Sequence, residues 1–104
     1  MSEFITVAKT ADLQATAKLC LEVEDRFVVL VCVADQYYCL DDVCTHDGGP
    51  LGQGELQDFC LVCPRHGARF DVRSGNAVTM PATEATTRHE VRVVGDEIQV
   101  RLSE

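Results

Sequence analysis

Apolar and polar residues alternate with a period of two at both ends of this chain. Ala17, Leu19, Leu21 and Val23 are apolar, while Lys18, Glu22 and Glu24 fall on the other phase. Such alternation predicts a half-buried strand. Glu24-Asp25-Arg26 is a polar turn, and Phe27 to Val33 is an apolar run rich in β-branched residues. That composition predicts a strand buried on both faces. Ala34-Asp35-Gln36 turns the chain again, and Tyr37 to Leu40 continues as a strand, giving a three-stranded meander. Near the end, Val91 and Val93 alternate with Arg88, Glu90 and Arg92. Ile98, Val100 and Leu102 alternate with Glu97, Gln99 and Arg101, and Gly95-Asp96 between them is a two-residue hairpin signal. No amphipathic helix of three turns is present; Ala11-Asp12-Leu13 offers one short turn. The predicted class is all-β and antiparallel, with a closed or sandwiched core built from both chain ends.

Residues 41–81 break the pattern. All three prolines (Pro50, Pro64, Pro81) lie there, with Gly48, Gly49, Gly52, Gly54 and Gly67. This stretch reads as loops inserted between two β layers. Two of the loops echo each other: Cys44-Thr45-His46-Asp47-Gly48 and Cys63-Pro64-Arg65-His66-Gly67. Each supplies one thiol, one imidazole and a glycine close behind.

Length and charge narrow the possibilities. A chain of 104 residues is one domain's worth of sequence. Nine Lys and Arg against 17 Asp and Glu leave a net charge of −8. Nucleic acid and anionic membrane surfaces are therefore poor partners. The longest apolar run, Phe27 to Ala34, is far short of the ~20 residues that span a bilayer. The N-terminus shows no secretory signal, so a reducing cytoplasm is the expected compartment. There, the six cysteines point to metal or chemistry before disulfides.

The chemistry lies in a C-x-H pair, sixteen intervening residues, then C-x-x-H: Cys44, His46, Cys63 and His66. Thiolate and neutral imidazole are the ligands that Zn, Cu and Fe–S centres prefer. Two ligands on a tight loop grip one side of a site and a second loop closes it. The neighbouring glycines let backbone N–H groups approach, which favours the negative charge on thiolates or sulfides. A structural Cys₂His₂ zinc site uses the same donors, although zinc sites more often pair C-x₂₋₄-C with H-x₃₋₅-H. A Cys–His nucleophile would leave one loop idle, and Cys60-x-x-Cys63 is half of a zinc knuckle without a second half. Cys20, Cys32, Cys39 and Cys60 are expected to be reduced, mostly buried small hydrophobes. His89, beside a terminal strand among polar residues, is expected at the surface.

The segments Cys44-Thr45-His46-Asp47-Gly48-Gly49-Pro50-Leu51 and Cys63-Pro64-Arg65-His66-Gly67-Ala68-Arg69-Phe70-Asp71 resemble the two cluster-binding loops of Rieske-type ferredoxins. The likeness extends through a turn at Ser74-Gly75-Asn76 and a Met80-Pro81-Ala82 segment to the Gly95-Asp96 hairpin. It implies a Rieske-type iron–sulfur domain: an antiparallel β-sandwich base with a cluster-binding subdomain at about residues 41–80. It further implies one [2Fe–2S] cluster per chain, with Cys44 and Cys63 on the inner iron and His46 and His66 on the outer. Pro81 would belong to a loop covering that cluster.

Respiratory Rieske proteins carry an extra cysteine in each loop, joined as a disulfide; here those places hold Gly49 and Arg65. The missing pair, and no N-terminal anchor, point to the soluble ferredoxins that feed aromatic-ring-hydroxylating dioxygenases. The resemblance then implies a monomeric one-electron carrier between a flavin-dependent reductase and a terminal oxygenase, and not a catalyst. The alternative is a small Rieske-type subunit of a larger reductase, such as assimilatory nitrite reductase. The docking tip is expected to carry Pro50, Leu51 and Pro64, with Asp41, Asp42 and Asp47 as steering acids. In high-potential Rieske proteins a Ser and a Tyr hydroxyl follow the second histidine ligand; the matching positions here are Ala68 and Phe70.

Overall fold

The computed structural model describes residues 3–14, 16–43, 49–64, 67–78 and 84–103. Nine strands and one short helix are found among them, so the predicted all-β class holds. The meander is β2 (Lys18–Val23), β3 (Arg26–Val33) and β4 (Gln36–Asp41), and the terminal hairpin is β8 (Arg88–Val94) with β9 (Glu97–Arg101). The first strand, β1 (Ile5–Lys9), escaped the sequence reading. Its polar and apolar residues alternate over too few positions to stand out, and pairing with β9 is what extends it. The short turn at Ala11-Asp12-Leu13 is α1 (Thr10–Gln14). Asp12 caps it by accepting the Lys9 backbone N–H at 2.8 Å.

These strands form one antiparallel sheet in the order β1-β9-β8-β4-β3-β2. The sheet curls until its two edges face each other across a cleft lined by Ile5, Thr6, Val7, Leu21 and Val23. Ala8, Ile98 and Val100 thereby meet Val23, Val28, Leu30 and Cys39 in a first core. The middle of the chain is less loop-like than its glycines and prolines suggest. It holds a second, three-stranded sheet: β5 (Leu56–Gln57), β6 (Cys60–Val62) and β7 (Arg69–Asp71). This small sheet packs Leu61, Ala68, Phe70 and Val72, together with Leu51, onto Val29, Val31 and Leu40 in a second core.

Both cores draw on β3 and β4. Register pairs share a face, and successive pairs alternate. Leu30 opposite Cys39 points into the first core, while Val29 opposite Leu40 and Val31 opposite Tyr38 point into the second. That is why β3 reads as an unbroken apolar run. The expectation fails at one residue: Phe27 lies in phase with Val29 and Val31 but beyond the small sheet, and is 67% exposed. The two meander turns are two-residue hairpins, since Val23 pairs with Arg26 and Val33 with Gln36. Both central residues of each have positive φ: Glu24 and Asp25 at 48° and 67°, Ala34 and Asp35 at 52° and 64°. This geometry matches strand twist but costs L-residues ~1–2 kcal/mol each, which Asn-Gly largely avoids.

Replacing Ala34-Asp35 by Asn-Gly is therefore expected to stabilise the protein by ~1 kcal/mol, raising the thermal midpoint by roughly 4–8 °C. Calorimetry on the intact protein checks it; an unchanged or lowered midpoint would show that the turn is not strained.

Candidate metal centre

Both candidate ligand loops hang from the small sheet. The first joins β4 to β5; the second is the turn of the β6–β7 hairpin. Of the four candidate ligands, Cys63 lies within the described residues, while Cys44, His46 and His66 lie outside them. So do Asp47 and the Met80-Pro81-Ala82 segment. Cys63 stands at the mouth of the hairpin and is 1% exposed. Its N–H donates to the Ala68 carbonyl at 2.7 Å, and its own carbonyl accepts the Gly67 N–H at 3.0 Å. These bonds close the turn and hold the thiol against the buried side chains of Ala68 and Phe70. Gly67, at φ 75°, is where the turn reverses.

The two loops are fitted together by backbone. A Cβ on Gly54 would lie 1.6 Å from the Val62 carbonyl oxygen and 3.2 Å from Pro64 Cδ, so only glycine lets the strands touch there. Asp42 accepts the Gly52 N–H at 2.5 Å, and the Lys18 ammonium donates to the Gly54 carbonyl. Between the loops lies an open cavity of about 370 Å³ lined by Gln53, Gly54, Cys63, Pro64 and Gly67. A buried cysteine lining a space between two glycine-bearing loops fits a thiolate-ligated cluster. The other described thiols suit that role poorly. Burial pushes the Cys39 thiol up to about 12, with the Asp41 charge adding to it. Burial first, then Asp42, raises Cys20, and burial first, then Asp71, raises Cys60. All five described cysteines are free, as expected. Their burial is mixed, however: Cys39 is buried, Cys32 and Cys60 are half-buried, and Cys20 is exposed on the polar phase of β2.

Three expectations are corrected next to the loops. His89 is not a surface histidine but is 1% exposed. It pairs with Cys39 across β4 and β8, so it shares that residue's inward face. The signal was available: His89 is in phase with Val91 and Val93, and the polar neighbours masked it. Leu51 is not at the rim but fully buried in the second core. Asp41 is not a free steering acid. Arg26 grips it with two bonds of 2.9 and 2.8 Å, and His89 Nε2 lies 2.7 Å from its Oδ1. Because the Ser103 N–H donates to His89 Nδ1 at 2.9 Å, that nitrogen carries no proton. The ring is therefore neutral, with Nε2–H donating to Asp41. Arg26 also donates to the Ser103 carbonyl at 2.6 Å. One paired network thus pins the end of β4, three residues before Cys44, to the C-terminal segment.

Similarity to known proteins shows the family. Residues 3–100 match the Rieske [2Fe-2S] domain model. The 3-phenylpropionate/cinnamic acid dioxygenase ferredoxin subunit of Shigella boydii is 35% identical over 78 residues, 74% of each chain. The ferredoxin of carbazole 1,9a-dioxygenase from Nocardioides aromaticivorans IC177 superposes with a TM-score of 0.89 at 29% identity, covering 95% of this chain and 97% of that one. A complex of reduced oxygenase and oxidized ferredoxin in carbazole 1,9a-dioxygenase matches at 0.86 and 29% identity, over 94% and 92% of the chains. The chain belongs to the Rieske [2Fe–2S] family, and within it stands with the ferredoxin components, which are electron carriers and not catalysts. No described helix is long and apolar enough to cross a membrane.

His89 makes stability depend on pH. Burial holds its pKa below the ordinary 6.5, against the opposing pull of Asp41. As pH falls through ~6.5, the unfolded chain takes up this proton before the folded one does, so stability is lost below that point. The loss is expected at no more than ~1.4 kcal/mol per pH unit, the slope for one proton. Urea midpoints between pH 7.5 and 5.5 should fall less steeply for His89→Gln than for wild type. Parallel slopes would mean that the ring titrates alike folded and unfolded.

Proposed function

We propose that Cys44, His46, Cys63 and His66 hold one [2Fe–2S] cluster, the two thiolates on one iron and the two imidazoles on the other. The chain then works as a cytoplasmic, monomeric carrier, taking single electrons from a flavin-dependent reductase and passing them to a terminal ring-hydroxylating oxygenase. The observation that carries this reading is the buried Cys63 lining the space between two loops that each carry a Cys–His pair. The cluster, when bound, supplies a one-electron couple whose oxidised core charge the two thiolates balance. Cys63, Ala68 and Phe70 keep water from the sulfur side, and Gly54 and Gly67 let the loops close on it. The oxygenase partner draws support from the related ferredoxin–oxygenase complex, and the free cysteines suit a reducing compartment.

Metal analysis and colour test the site. Aerobically purified protein should be red-brown, with about two irons and two acid-labile sulfides per chain. Cys44→Ser and Cys63→Ser should lose the iron and much of the fold, because ligation is coupled to folding. Cys20→Ser and Cys60→Ser should keep both. Colourless protein carrying zinc would overturn the assignment. Co-purification as a fixed part of a large reductase would favour the small-subunit alternative.

The potential is expected at the low end of the Rieske range, roughly −150 mV. Ala68, just before β7, and Phe70 within it are both buried in the same core as Cys63, and neither carries a hydroxyl to donate to sulfur. Adding both hydroxyls by Ala68→Ser with Phe70→Tyr would stabilise the electron-rich state by ~1–2 kcal/mol, a part of what a charged hydrogen bond contributes. At ~59 mV per tenfold, the midpoint should rise by roughly 40–90 mV. Voltammetry reading above about +100 mV for wild type would contradict the low-potential assignment. No rise in the double variant with its colour intact would show that the hydroxyls miss the sulfurs.

A further inference from the structure

A broad groove adjoins the first ligand loop. It has a volume of about 540 Å³ and is lined by Arg26, Phe27, Asp41, Asp42, Val43 and Pro50. Its apolar members are open to solvent: Phe27 is 67% and Val43 38% exposed, and Pro50 is exposed as well. Phe27 continues the outer face of β3 past the point where the small sheet stops covering it. A phenyl ring left in water forgoes most of the ~1.5–3 kcal/mol that its burial provides. The fold does nothing to hide it, although Val29 and Val31 on the same face are fully covered.

The charges around the groove fall into two sets. Asp41 and Arg26 neutralise each other, and Asp42, which accepts the Gly52 N–H, is the one uncompensated charge among the groove's described lining residues. The rim beside Phe27 is different. Glu22 is its cross-strand partner on the same face, and Glu24 and Asp25 form the adjoining turn, all three exposed. An apolar centre with an acidic rim complements an apolar knob flanked by Lys or Arg. The chain's charge of −8 opposes a second copy of itself, and an acidic rim opposes nucleic acid.

We propose that the Phe27–Val43–Pro50 groove is a docking surface for the terminal oxygenase, receiving an apolar side chain ringed by basic residues beside the cluster loop. This rests on the function proposed above. A carrier must present its ligand loops to whichever protein gives or takes the electron. A groove at the side of the first loop adds contact for a partner that reaches around it, and so sets which partner binds well. Exposed aromatics of this kind act as anchors in interfaces, while the surrounding charges set the encounter rate.

The test uses the cluster-loaded protein with the reductase and the oxygenase purified from its source organism. Phe27→Ser should raise the KM of the oxygenase for this ferredoxin about tenfold, with kcat at saturation unchanged. Phe27→Leu should recover most of the loss. Glu22→Gln with Glu24→Gln and Asp25→Asn should flatten the fall of oxygenase turnover with rising salt. In all variants the visible spectrum, the midpoint potential and the rate of reduction by the reductase should stay as in wild type. An unchanged oxygenase KM for Phe27→Ser overturns the proposal, as does a loss confined to the reductase step. If iron-loaded wild type supports no oxygenase turnover, the function reading itself falls; wild-type turnover with an indifferent Phe27 sinks the groove alone.

Discussion

The β3–β4 ribbon has no solvent face over most of its length, and the rest of the molecule is organised around that. A strand pair has two surfaces, and here each is the wall of a different core. The inward residues, Val28, Leu30 and Cys39, hold the curled sheet together. The outward residues, Val29, Val31 and Leu40, hold the small sheet that carries both ligand loops. A one-residue slip in register would exchange the two sets and uncouple the loops from the base. Shortening Leu40 would open a cavity in the loop-bearing core at a cost of ~2–5 kcal/mol. The small sheet is therefore held in place by the wall it shares with the barrel-like base.

At the end of that ribbon the chain must leave the sheet and enter the first loop at a defined place. Asp41 sits at this exit, partly exposed; Arg26 from β3 offsets its charge, and it accepts a further hydrogen bond from His89 of β8. Removing one partner of such a set leaves a poorly solvated charge behind, which is why the three act as one unit. Ser103 adds the C-terminal segment through both His89 and Arg26. Three strands and the tail thus agree on where β4 stops. A neutral imidazole does this well: it donates on one side, accepts on the other, and adds no further charge to the core.

Carrying an electron between proteins asks for a centre that is shielded from water yet close to a surface that partners can reach. The chain meets the first need with Cys63 buried in the same core as Ala68 and Phe70. The net charge is −8, and the acids differ in their surroundings. Asp41 and Asp42 brace the loop, whereas Glu22, Glu24 and Asp25 remain free at the rim.

Much of this was legible in the order of residues. Period-two alternation marks the meander and the terminal hairpin, because a strand with one buried face must alternate. The paired Cys–His loops mark the site, because few other demands place thiol, imidazole and glycine together twice. What escaped depends on partners distant in sequence. The β1 strand exists through β9, and the small sheet through pairings among residues that read as loop. His89 was misread because its neighbours are polar, while its burial follows from the register that sets it opposite Cys39. Leu51 and Phe27 exchanged expectations for one reason: a residue's own chemistry says that it would prefer burial, but only packing says whether another element arrives to cover it. The small sheet reaches Leu51 and stops short of Phe27. Local pattern therefore determined the meander, the terminal hairpin and the paired Cys–His loops, and tertiary structure decided which apolar residues became core and which stayed exposed.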